Sequence, residues 1–168
     1  MKIRKEINQS WMILLIILMS IVGTSGLVDA ALSNIETADD MTGSIELLST
    51  ASPDIQANGQ DGPIIVSSSS PVSITIGLTA GLQTGAYADW WVVASTPFGL
   101  YSWVYPTGWN SGLVTAIQLP LFGFSGLEMF NGLLPVGDYV FYFVVDTTPD
   151  NVLNDPILYD WVDVHVIN

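Results

Sequence analysis

No lysine or arginine follows Lys5 in this 168-residue chain; the three basic residues are Lys2, Arg4 and Lys5. Cysteine is absent, and histidine occurs once, as His165. Each gap excludes something. Without cysteine there is neither a disulfide framework nor a lipoprotein attachment point, so stability has to come from packing or bound ions. Without lysine there is no Lys–Asn isopeptide cross-link and no catalytic lysine. Without any cation beyond residue 5 there is no phosphate clamp, which excludes nucleic-acid binding. A single histidine excludes sites that need two, an HExxH zinc site among them.

The three cations precede an apolar run from Trp11 to Val22, broken only by Ser20, and then the small-residue stretch GTSGLVDA. A basic start, an apolar centre and a small-x-Ala end predict a secretory signal peptide over 1–30, cleaved after Ala30. The alternative is a retained N-terminal anchor, but a twelve-residue run falls short of the ~20 that a spanning helix needs. The chain is therefore expected to be exported, as a secreted, periplasmic or cell-surface protein with no membrane insertion after cleavage. Of the sixteen acids, all but Glu6 and Asp29 lie beyond residue 30, so that part carries a side-chain charge of −14 with His165 neutral. Such a surface repels nucleic acid and anionic lipid, and its electrostatic complements are divalent cations and basic partners.

Residues 31–52 read as a mixed lead-in segment, and 53–168 as one domain of ordinary size. The domain is β-like throughout. Val72, Ile74, Ile76 and Leu78 alternate with Ser73, Thr75 and Gly77, a strand with one apolar face. ADWWVVA (88–94) is apolar on both faces, as a central strand would be. LYSWVY (100–105) is another strand, closed by Pro106-Thr107-Gly108. Weaker strands are expected at 113–121 and 127–130. After Pro135 and Gly137, Tyr139, Phe141, Phe143 and Val145 share one face of a long strand. In the last strand Val162, Val164 and Val166 face one way, with Trp161, Asp163 and His165 opposite. Seven or so short strands separated by Gly, Pro and Asn turns predict an all-β, two-sheet antiparallel sandwich, with a barrel as the alternative.

Four stretches, IQANGQDGPIIVSSSSPVSITIGL (55–78), ADWWVVASTPFGLYSW (88–103), GLLPVGDYVFYFVVD (132–146) and LYDWVDVHV (158–166), together resemble an immunoglobulin-like β-sandwich module of secreted bacterial proteins. The resemblance spans nearly all of 53–168. It implies an immunoglobulin-like fold and export, and no activity. In that family the loop after the long aromatic strand often carries a D-x-x-x-N-G acidic turn. Here the loop reads DTTPDNVLNDPILYD, which keeps the oxygen-bearing positions and lacks the Asn-Gly pair.

That loop is the first candidate site. Asp146, Asp150, Asn151 and Asp155, with Asn154 and Asp160 close by, offer the oxygens that Ca²⁺ takes, and no lysine or arginine competes for them. The spacing is not that of an EF-hand; the alternative is a solvated acidic loop. The second candidate is aromatic. Trp91, Trp103 and Trp109 stand out as contacts for a partner or a glycan, and ordinary core packing is the competing reading. Trp90 and Trp91, adjacent in one strand, must point to opposite faces. Asp163 and His165 share a strand face, but no nucleophile turn accompanies them, and no two acids are placed to pair as in a glycosidase. The expected function is non-catalytic: an exported sandwich contacting an extracellular protein or matrix. The alternative is a carbohydrate-binding module with a structural calcium ion.

Overall fold

The computed structural model describes residues 50–154 and 156–168. The expected signal peptide and most of the lead-in segment lie outside the described residues, as does Asp155. Ten strands follow in order: β1 (Ser52–Ala57), β2 (Ile64–Ser67), β3 (Val72–Thr79), β4 (Tyr87–Thr96), β5 (Gly99–Val104), β6 (Gly108–Ser111), β7 (Ile117–Pro120), β8 (Phe124–Gly132), β9 (Gly137–Asp146) and β10 (Leu158–Ile167). A 3₁₀ turn, Gly81–Gln83, joins β3 to β4.

The strands form two sheets. The smaller runs β1-β3-β8; the larger runs β2-β10-β9-β4-β5-β6, with β7 also paired to β4. Every pairing is antiparallel except β2 with β10, which is parallel. The expected sheet is therefore not purely antiparallel. The departure follows from the chain path: β1 turns at Asn58-Gly59, both with positive φ, and β2 then crosses to the other sheet. Ala57 and Gln60 close that turn with two backbone hydrogen bonds, the geometry that a two-residue hairpin loop takes when both central residues tolerate φ > 0.

The alternation read from the sequence sorts the two faces of each long strand. Val72, Ile74, Ile76 and Leu78 of β3, Tyr139, Phe141, Phe143 and Val145 of β9, and Val162, Val164 and Val166 of β10 are all buried. Trp90 fills the middle: its ring lies 5.4 Å from Phe122, 5.6 Å from Phe124 and 5.8 Å from Phe143. Phe124 belongs to the smaller sheet and Phe143 to the larger, so these rings join the layers. Burying a ring such as that of Phe143 contributes roughly 1.5–3 kcal/mol. Two polar contacts also cross between sheets: the Ile55 N–H donates to Asp160 Oδ2 at 2.9 Å, and Trp109 Nε1 donates to the Met129 carbonyl at 3.2 Å.

The strand expected over 113–121 is confined to β7. β5 takes the second half of β4 (Val92–Thr96), and β7 takes the first half (Tyr87–Trp90). The chain has to step across between them, so residues 113–115 leave the ladder and Ala116 rejoins it by donating its N–H to the Trp90 carbonyl at 2.7 Å. Ser102 Oγ accepts from the Val114 N–H and donates to the Gly112 carbonyl, which holds that step in place. The turn read at 106–108 does close β5, and it leads directly into a short edge strand, β6, that begins at Gly108.

Candidate functional site

The outward face of the larger sheet brings together Asp146, Trp91 and several residues that lie far apart in sequence. Because side chains alternate along a strand, residues in register share a face. From one end, Asp89 of β4 lies opposite Asp146 of β9. The next row is Trp91, Val144 and Tyr159 across β4, β9 and β10; then Val93, Tyr142 and Trp161; then Ser95, Val140 and Asp163. Asp138 and His165 follow, 2.8 Å apart between Oδ1 and Nδ1.

The acidic end of this face is covered. Asp89 and Asp146 are 0% and 1% exposed. Residues 147–154 wrap back over them because the two carboxylates draw in backbone donors. Asp89 Oδ2 accepts from the N–H groups of Asp150 (3.0 Å) and Asn151 (2.6 Å). Asp146 Oδ1 accepts from Thr148 (2.8 Å), and its Oδ2 from Asn154 (2.6 Å). Asn151 turns the loop with a φ of 63°. Further along, Ile157 packs on a buried cluster of Trp91, Val93 and Val144, with Tyr142 beside it.

Of the residues singled out for calcium, Asp146 is therefore buried, while Asp150 and Asn151 are exposed and reach the buried pair through their backbone. The Asp150 carboxylate accepts from the Val152 N–H and from Asn154 Nδ2. Asp155 lies outside the described residues. Among the described residues, no three His, Cys, Asp or Glu side chains converge as a metal-ligand set. Asp89 escaped sequence reasoning, although it left a signal: an acid inside ADWWVVA, a strand otherwise apolar on both faces.

The tryptophans divide differently. Trp91 is buried under Ile157 and offers no ring to solvent. Trp103 and Trp109 are half-buried and in register on β5 and β6; Trp109 stands edge-on to Phe141 of the core. Among the described residues the rings most open to solvent are Phe98 and Tyr87, which are scattered, and Tyr159 and Trp161, which are adjacent. Tyr159 and Trp161, about half exposed, lie 6.0 Å apart on β10, with half-buried Tyr142 across from Trp161. Trp161 sits on the polar half of the last strand's alternation, which is where an exposed ring could have been read.

A second group of acids lies at β1. Burial, then the charges of Asp61 and Asp160, push the Asp54 carboxyl above its ordinary value. Among the described residues, no helix is long and apolar enough to cross a membrane. Searches of family models, curated proteins and solved structures give no match to this chain.

Proposed function

We propose that this chain is a non-catalytic, exported sandwich of immunoglobulin type that contacts an extracellular protein or matrix through the outward face of β9 and β10. The observation that carries this reading is the pair of exposed rings, Tyr159 and Trp161, with half-buried Tyr142 beside them on the outward sheet face. Exposed rings grouped on a face are more costly to leave in water than scattered ones, and aromatic residues are enriched where proteins meet. Asp163 and Asp138 border the strip, and no lysine or arginine lies beyond residue 5. The partner suited to such a face presents Lys or Arg, which stack on tryptophan and tyrosine and pair with the bordering carboxylates.

The immunoglobulin reading is supported by strand order. β1, β3 and β8 correspond to strands A, B and E, and β10, β9, β4, β5 and β6 to G, F, C, C′ and C″. Trp90 on β4 stands where that fold keeps its core tryptophan. Tyr139, near the start of β9, donates its hydroxyl to the Pro135 carbonyl at 2.9 Å, as in the fold's tyrosine corner. Folds of this kind host many functions, so the partner is argued from the face alone.

The test compares the full-length chain with Trp161→Ala for binding to matrix prepared from the producing cells. Trp161 is half exposed, so the substitution is expected to leave the melting temperature nearly unchanged and to weaken binding at least tenfold, with binding falling as salt rises. Equal binding by both chains would refute the assignment of this face. The same ring pair favours the second reading, a neutral glycan stacking on Tyr159 and Trp161. Binding to neutral oligosaccharides that is insensitive to salt would select it.

A further inference from the structure

We propose that Asp89 and Asp146 together hold a hard divalent cation beneath residues 147–154. The two carboxylates occupy directly opposed positions on neighbouring strands and are sealed from solvent. Opposed residues place their Cβ atoms about 4.5–5.5 Å apart, which brings both carboxylates within reach of one ion taking oxygens at about 2.3–2.6 Å. Like charges so placed repel, and burial removes the water that would screen them.

Backbone donors answer only part of this. Four N–H groups serve three of the four carboxylate oxygens. The fourth, Asp89 Oδ1, is buried with no hydrogen-bond partner. A buried carboxylate oxygen left unpaired is among the more costly arrangements in a protein interior. Among the described residues there is no lysine or arginine to relieve it. The chain's lysines and arginine end at residue 5, and its one histidine pairs with Asp138 at the far end of the same face. A cation seated at Asp89 Oδ1 and shared with Asp146 supplies both the missing partner and the missing charge. Because no third acidic or histidine side chain among the described residues joins the pair, main-chain oxygens and water complete the shell. The ion would then fasten residues 147–154 to the sheet, a role independent of which partner docks on the aromatic strip.

The experiment is a titration of the full-length chain with Tb³⁺, reading luminescence sensitised by the neighbouring tryptophans, followed by displacement with Ca²⁺. One saturable site, emptied by Ca²⁺, is expected, together with a rise of several degrees in melting temperature in millimolar Ca²⁺. Asp89→Asn keeps an oxygen for the Asp150 and Asn151 N–H groups and is expected to lose binding at least tenfold. Asp54→Asn, in the separate acidic group at β1, is expected to bind as the unsubstituted chain does. If Asp89→Asn does not fold, the calcium-dependent melt of the unsubstituted chain decides alone. No calcium-dependent rise, equal binding by Asp89→Asn, or a loss caused by Asp54→Asn would each overturn the proposal. So would a stability gain that appears only on acidification, which would assign the pair a shared proton.

Discussion

Replacing Tyr139 by Phe removes one atom from a well-defined place. The Tyr139 ring is 3% exposed and stacks on Phe141, with centroids 6.4 Å apart and planes inclined by 11°. Phe keeps all of that packing. What goes is the 2.9 Å hydrogen bond from the hydroxyl to the Pro135 carbonyl, which ties the turn between β8 and β9 to the strand it enters. A net hydrogen bond contributes about 1 kcal/mol, and Pro135 is exposed, so water can take over its carbonyl at modest cost. The expected loss is about 1 kcal/mol, seen as a lower urea midpoint with an unchanged slope, and about 3–5 °C in melting temperature. Tyr139→Ala, which empties the ring site, is expected to cost about 3–5 kcal/mol.

The pH dependence separates the hydroxyl from the ring. Burial raises the Tyr139 phenol above its ordinary value of 10.0. The folded state therefore holds the phenolic proton more tightly than the unfolded state does. Stability from this group is fully present below the unfolded value and is lost as pH climbs through the raised one. Tyr139→Phe should remove that part of the alkaline decline. A Tyr139→Phe cost as large as that of Tyr139→Ala, or an alkaline loss of stability that is the same with and without the hydroxyl, would refute this role of the hydroxyl.

Two further outcomes are expected. Asp54 is raised by burial and by the neighbouring charges of Asp61 and Asp160, so its ionisation opposes folding once pH exceeds the ordinary aspartate range. Asp54→Asn should raise the melting temperature near neutral pH, more so at low salt, and should change nothing at a pH where the carboxyl is already protonated; a neutral-pH melt that does not move would count against this. Gly62 has a φ of +82°, and a Cβ there would sit 2.7 Å from Val162 Cγ2 and 3.2 Å from the Asp163 nitrogen of β10. Gly62→Ala is expected to cost roughly 1–3 kcal/mol, measured by urea unfolding, because the strained φ and the clash add.

Much of the fold could be read directly from residue order. The period-two alternation in β3, β9 and β10 is a local property, and every position it assigned inward on those strands is buried. The doubly apolar run ADWWVVA likewise marked β4 as a central strand with partners on both sides. Pairing was harder to read. That β4 divides its length between β5 and β7, and that β2 lies parallel to β10, depends on which distant strands compete for the same hydrogen-bonding edge. Alternation within one strand carries no information about that competition.

The same division runs through the site. The scarcity of cations, the single histidine and the acidic 146–160 loop are facts of composition, and they alone exclude phosphate clamps and paired-histidine metal sites. Composition also put Asp146 and Asp150 in one loop. It could not join them to Asp89, which lies 57 residues before Asp146 and becomes its neighbour only through the β4–β9 register. Nor could it sort the tryptophans. Trp91 and Trp161 each stand on an outward face, yet one is covered by Ile157 and the other is left in solvent. Strand geometry determines the face to which a side chain points; the path of the following loop determines whether that face stays open.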